Sequence, residues 1–437
     1  MALCRNETGK PRQRFFAGTF GYAADPDECL AGKIHITHRP RVDRERSNGT
    51  NSINMKRVHW LFAAYIVTST ALLLFSYTQV DLNLTLSRAS VVQTIQKGFQ
   101  FVGFYQRPVA TLLYAAILLS LFVLYGLLLT HVRTGEMKLV TVWRIIFVVA
   151  GILVFSYPAA FSYDFFNYLF TAKTVLVYHQ NPYTVTPLQF SGIDPWTNFM
   201  RWTHLTSAYT PLWIALSLVP YLAGLGYFIL VLFSMKFMIA GFYLLACWAL
   251  VHAMEITSPK QKTYGLVLFA LNPLILIESL VSGHNDILLA AFALLSVSMF
   301  VRKAYGVAWM FLALSIAAKF MTLFLLPVFW FRRGREWMLA AMLVGLSLVL
   351  LRREFLPWYW VWVLPFVALN DQYRKLATFA IIVSLGLAAS YAPYLYFGEY
   401  SALEQVWKTS IIWIGVGVAG FSLMIPARDR RRSASTS

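Results

Sequence analysis

The stretch "LLYAAILLSLFVLYGLLLT", residues 112–130, runs for nineteen positions without a charge. A helix needs about 20 apolar residues to cross a bilayer core, so this stretch reads as a membrane span and sets the class of the chain. Comparable runs recur along the sequence at 58–77, 109–130, 142–155, 211–222, 227–251, 264–281, 287–301, 307–318, 321–331, 338–351, 359–369, 376–397 and 406–426. The composition agrees: 58% of the 437 residues are hydrophobic and 13% are charged, where a soluble domain carries roughly 25% charge. The expected fold is all-α, a polytopic membrane protein.

The formal charge of +18 would suit nucleic acid if it were gathered in one patch. It is not. Lysines and arginines stand in short clusters between apolar runs, as topology signals do. The clusters are Lys56-Arg57, Arg133 with Lys138 and Arg144, Lys260 with Lys262, Arg302-Lys303, Arg332-Arg333 with Arg335, Arg374-Lys375, and Arg428 onward. If every run crosses, the clusters from Lys260 on fall on the outer side. If 211–222, which begins with Pro211 and contains Pro220, dips in and returns, all seven lie inside. That gives about 12 transmembrane helices with both termini cytoplasmic in the plasma membrane, and short or re-entrant pieces where protein covers them. Thirteen crossings would violate the charge rule several times.

Residues 1–54 are polar, Arg-rich and aperiodic, and read as a disordered basic tail. Met55, followed by Lys56-Arg57 and an apolar run, resembles a natural start. The membrane domain is expected over 55–426, with an outer loop at 159–210, and a basic cytoplasmic tail over 427–437. Cys4, Cys29 and Cys247 have neither metal-site nor disulfide spacing. Three short glycosylation sequons, at Asn6, Asn48 and Asn83, are patterns that chance often supplies.

Between Met137 and Arg335 there are only five acids: Asp164, Asp194, Glu255, Glu278 and Asp286. Charge inside a membrane is costly, so carboxylate chemistry in this region must draw on these. Asp164 opens "DFFNYLFTAKTVLVYHQNPY", an amphipathic helix lying outside the span, with Tyr168 one turn on and on the same face. An N-cap is its plain reading; a catalytic carboxylate is the sharper one. "SGHND", residues 282–286, breaks an apolar region. Asp286 can cap the next helix, but that leaves Glu278, His284 and Asn285 without a task. Lys319 can snorkel to the interface or hold an anionic headgroup. Arg352 and Arg353 carry the same two readings and also break the positive-inside pattern. "PWYWVWVLP", residues 357–365, suits an interfacial aromatic belt. No nucleotide-binding loop and no nucleophile elbow is present.

The order of these segments is informative. "YDFFNYLFTAK", Asn181-Pro182-Tyr183, "YTPLW" from Tyr209, "NPLILIESLVSGHNDILLAAF", "AAKFMTLFLLP" and "PWYWVWVLP" resemble the C-type (GT-C) membrane glycosyltransferases. Within them, the likeness is to polyprenol-phosphomannose-dependent α-mannosyltransferases and glycosyltransferase family 87. It covers roughly 143–365, with Gly283-His284-Asn285-Asp286 its most specific piece.

The resemblance implies inverting hexosyl transfer, by expectation mannosyl, from a polyprenyl-phosphate sugar to a glycolipid or polysaccharide at the outer face. Asp164 would be the general base. Tyr168, Asn181, Tyr183, Tyr209, His284, Asn285, Asp286, Lys319, Arg352, Arg353, Trp358 and Tyr359 would form the substrate site. Many relatives place two acids together in the first loop, whereas Tyr163 precedes Asp164 here, so no metal site and no cofactor is expected. The expected partners are the lipid-linked donor, the acceptor and membrane lipid, with no nucleic acid. A flippase for lipid-linked saccharide is the alternative from another class, but the internal repeat it would favour is absent from the sequence.

Overall fold

Helix is the only regular structure among the described residues, as an apolar chain that must satisfy its own backbone requires. The structure is a computed structural model and describes residues 42–370 and 372–425. Contacts divide the chain after Asn51, and the membrane unit begins at Ser52. Most of the expected tail 1–54, together with Cys4, Cys29 and the tail 427–437, lies outside the described residues. Residues 42–54, expected to be disordered, are helical as the start of α1 (Val42–Tyr77).

The first elements after it are α2 (Ser90–Gln100), α3 (Arg107–Arg133), α4 (Leu139–Leu153), α5 (Asp164–Leu176), α6 (Pro211–Ala223) and α7 (Phe228–Thr257). α8 (Lys262–Ala270) and α9 (Pro273–Ile275) follow, the latter continued by a π-helix at Leu276–Val281. Then come α10 (Asp286–Val301), α11 (Tyr305–Ala318), a 3₁₀ turn Phe320–Leu325 with α12 (Leu326–Trp330), and α13 (Arg335–Leu350). The chain closes with a 3₁₀ turn Pro357–Trp362, α14 (Leu364–Leu369), α15 (Arg374–Ala389), α16 (Ala392–Phe397) and α17 (Ala402–Met424).

Each expected apolar run falls on helix, but not all are long. Five helices have the length and composition to cross a membrane, or six if α8 and the Pro273–Val281 segment count as one span bent by 50°. The other expected crossings fall on helices of 10–17 residues. The bend in the expected run 264–281 comes from Pro273, which has no N–H to continue the helix. Its cost is met locally. The carbonyls of Leu268, Ala270 and Leu271 accept hydrogen bonds from Tyr125, Tyr243 and Tyr65, each on a different helix. Asn272 caps the new turn through Leu274 N–H and donates to Ser384.

α6 has 13 residues, about 20 Å at 1.5 Å per residue, too short for a core of about 30 Å. Both its ends touch one end of the bundle: Thr210 reaches the Ala318 carbonyl, and Tyr221 packs on Trp196 of the 177–210 loop. The basic clusters meet at the other end. Arg133 binds Tyr264, Arg302 binds the carbonyl of His252 and the Glu255 carboxylate, and Arg335 binds the Leu369 carbonyl and Gln372.

Candidate active site

Asp164 begins α5, with Tyr163 at the N-cap position and no side-chain cap. The capping role is therefore not what its carboxylate does. It is partly exposed, and it lines two cavities at once. One, of about 340 Å³, lies under the outer loop and is bordered by Asn167, Thr171, Pro182, Trp202 and Tyr209. The other, of about 320 Å³, runs between the start of α5 and α16–α17, bordered by Trp202, Trp358, Tyr391, Tyr400 and Lys408. Asp164 and Trp202 are common to both. Burial raises the Asp164 pKa, the nearby His284 and Lys319 pull it down, and Asp286 raises it; Trp202 hydrogen-bonds the carboxylate and favours its charged form.

The SGHND break forms the corner beside it. The π-helix ends at Val281 and Gly283 takes φ +69°, a conformation in which a Cβ would stand 2.7 Å from the Phe165 ring. Phe165 adjoins Asp164, so glycine lets the corner approach that carboxylate. His284 Nδ1 donates to Glu278 Oε2 at 2.8 Å, and Tyr391 O–H donates to the other oxygen of Glu278 at 2.8 Å. His284 packs edge-on against Trp358 at 4.4 Å between centroids, and its Nε2 is buried without a partner. Burial alone would lower the imidazole pKa; the hydrogen bond and charge of Glu278 outweigh that and raise it.

Asp286 is fully engaged. Lys319 Nζ lies 2.6 Å from its Oδ1, and Trp362 Nε1–H donates to the same oxygen. Lys319 also donates to Asn285 Oδ1 at 3.4 Å and sits 5.5 Å from the centre of the Trp362 ring. Lys319 is held by its neighbours, so free snorkelling does not describe it.

The remaining expected site residues divide. Tyr209 and Trp358 line the cavities. Tyr168 is buried, edge-on to Tyr209 at 4.8 Å and to Trp213 at 5.0 Å, and supports the cavity wall from behind. Asn181 accepts from Tyr183 N–H to close the turn at Pro182, and Tyr183 O–H donates to the Tyr209 carbonyl at 2.8 Å. These two shape the loop from outside the cavity. Tyr359 stacks on Trp362 at 4.4 Å. Arg352 and Arg353 lie apart from Asp164, in a groove of about 340 Å³ against α17. Lys408 is shared by that groove and the second cavity, and stands 3.6 Å from Glu354.

Several residues here carried no recognised signal in the sequence. Trp202 reaches the site from the 177–210 loop, and Tyr391 and Lys408 from the C-terminal part of the chain. Lys236 did give a signal, a lone charge inside the run 227–251, where an ionisable residue is a functional candidate by default. Asp194, the fifth acid, is a structural anchor: Lys173 binds it at 2.6 Å, Tyr178 O–H donates to it at 2.8 Å, and Lys173 also stands 4.1 Å over the Trp196 ring. Among the described residues no three of His, Cys, Asp or Glu gather as a metal site would require.

One carboxylate open to two cavities, a lysine at the border of the second and a bundle of apolar helices suit group transfer beside a membrane. A family model described as MptA/B family, alpha-(1->6)-mannopyranosyltransferase, N-terminal domain, matches residues 66–334. No curated protein and no solved structure matches the chain. The match takes in Asp164, the Gly283–Asp286 corner and Lys319, and stops short of Arg352, Arg353, Trp358 and Lys408. It covers more than half of the chain, and this protein belongs to the MptA/B family of alpha-(1->6)-mannopyranosyltransferases.

Proposed function

We propose that the protein transfers a mannosyl unit, with inversion, from a polyprenyl-phosphate donor to a hydroxyl of a glycolipid or polysaccharide at the outer face of the membrane. The observation that carries this is the position of Asp164 on the wall shared by two cavities. The acceptor occupies the cavity under the outer loop, and the donor sugar the one beside α16–α17. The Asp164 carboxylate takes the proton of the acceptor hydroxyl as its oxygen attacks the anomeric carbon. The bond from that carbon to the phosphate oxygen breaks, and polyprenyl phosphate leaves as the anion.

A single base suffices for such a step, in contrast to the carboxylate pair of glycosidases. Inversion to an α product requires a β-linked donor sugar. Lys408, with Arg352 and Arg353 beyond it, lines a path from the donor cavity along α17. Cations fixed there stabilise the leaving phosphate without reorganising. The basic clusters at the opposite end support a cytoplasmic location for that end; in this reading Asp164 faces outward and the short helices complete about twelve crossings.

The test is mannosyl transfer by purified protein reconstituted in vesicles, from radiolabelled polyprenyl-phosphate mannose to membrane glycolipid. The unmodified protein is expected to transfer label and Asp164→Asn to lose at least about 100-fold, with helicity and melting unchanged. Transfer at equal rates by both proteins removes Asp164 from the role. Label passing only from a nucleotide sugar removes the lipid donor.

A further inference from the structure

Lys236 carries an amine with no carboxylate beside it, eight residues into the apolar helix α7. That is about 12 Å along the axis from the end that bears the site. Its side chain is fully buried. A polar group so placed must find hydrogen-bond partners, and it has three. Nζ donates to the Leu280 carbonyl, to the Val281 carbonyl at 2.7 Å and to Ser156 Oγ at 3.2 Å. The first two carbonyls end the π-helix, with Ser282 between it and the turn at Gly283. Helix ends leave carbonyls unpaired, and Lys236 satisfies these two. Ser156 lies elsewhere, just past the end of α4, where its Oγ also comes within 3.3 Å of the Leu280 carbonyl. Eight residues further on stands Asp164.

One side chain thus touches both halves of the site: the corner that carries His284 and Asp286, and the segment that delivers Asp164. Resting on the reading of Asp164 as the base, we propose that Lys236 is a positioning residue, a strut from α7 that sets the spacing between Asp164 and the His284–Asp286 corner. It touches neither cavity and does no chemistry itself. Its effect passes through the groups that Asp164 faces. These are His284 and Asp286 from the corner, Lys319 beyond α11, Tyr209 from the outer loop, and Tyr359 and Tyr391 from the C-terminal helices. His284 lowers the Asp164 pKa, so a looser corner weakens that pull and the pKa rises.

The experiment compares Lys236→Met and Ser156→Ala with the unmodified protein in the vesicle assay, reading kcat, KM for the donor, the pH dependence of kcat/KM, and melting temperature. Methionine keeps the bulk of the stem and removes the donors. Ser156→Ala keeps Lys236 on its two carbonyls and removes the Ser156 contacts to Lys236 and to the Leu280 carbonyl. The expected result is a kcat loss of at least about 10-fold in Lys236→Met with donor KM within about twofold, and the acidic limb moved to higher pH. Ser156→Ala should give a smaller loss in the same direction, and it keeps the proposal testable if Lys236→Met does not fold. A lowered melting temperature with kcat and the acidic limb unchanged makes Lys236 purely structural and overturns the proposal. A pH limb that is absent even in the unmodified protein strikes the base reading instead, and so separates the two failures.

Discussion

Asp164 and Asp286 face one another across the site, yet the regions that carry them are built in opposite ways. Asp286 stands in a corner of linked side chains: Lys319 and Trp362 share its oxygen, Glu278 holds His284, and Tyr391 holds Glu278. Asp164 stands at the lip of two cavities with Trp202 as its hydrogen-bonding neighbour. A carboxylate whose charge is already spent on a cation is a poor base and a good brace. One that is desolvated, with lone pairs facing open space, is the reverse. That difference is what supports the proposed reading of Asp164 as the base and Asp286 as a brace.

The comparison can be broken at its strongest point first. Asp164→Asn should cost about 10²–10⁴-fold in kcat, whereas Asp286→Asn should cost about 10-fold, measured side by side in the vesicle assay. An inverted ranking, with both variants folded, would exchange the two roles. Next comes Gly283→Ala. Its positive φ and the close Phe165 ring should make the change cost about 1–3 kcal/mol in backbone strain alone. A melting temperature equal to that of the unmodified protein would show that the corner is less rigid than described.

The third effect is electrostatic. As a base Asp164 must be ionised, and its pKa is raised, so activity should be lost as pH falls through a value above the usual carboxylate range. Asp286 contributes to that rise, so Asp286→Asn should move the acidic limb of kcat/KM to lower pH. His284 opposes it, so His284→Gln should move the limb to higher pH. Limbs that coincide in all three proteins would mean that the corner does not sense the base. The smallest effect is expected at the outer loop. Asp194→Asn weakens the Lys173 and Tyr178 contacts and should speed limited proteolysis within 177–210 while changing kcat by less than about threefold. A large kcat loss there would move the loop from frame to machinery.

The class of the fold was plain from the apolar runs, because a bilayer imposes length and composition locally. The break at 282–286 was legible too, since Gly283 and its polar neighbours announce it, whereas the bend at Asn272-Pro273 lay inside the run 264–281 that reads as one span. The number of crossings was not. Runs such as 287–301 and 307–318 are apolar enough for a membrane but short, and whether such a helix crosses depends on what packs around it. At the site, His284, Asp286 and Lys319 were legible because polar residues in an apolar background are expensive. Their partners were not, because Tyr391 meets Glu278 across 113 positions and Trp362 meets Asp286 across 76, and no local period encodes such pairs. Arg352 and Arg353, expected beside the other residues, line a neighbouring groove that shares Lys408 with the second cavity. Asn181 and Tyr183, expected at the substrate site, pin the loop over the first cavity.

The shared wall of the two cavities bears on the kinetics of polymer growth. Under the proposed function, with donor in one cavity and acceptor in the other, a spent lipid carrier leaves along α17 while the saccharide stays seated under the 177–210 loop. Such an enzyme binds both substrates before reacting, and it can add successive units in one encounter. Product length would then follow the residence time of the acceptor, and the supply of donor would set only the pace.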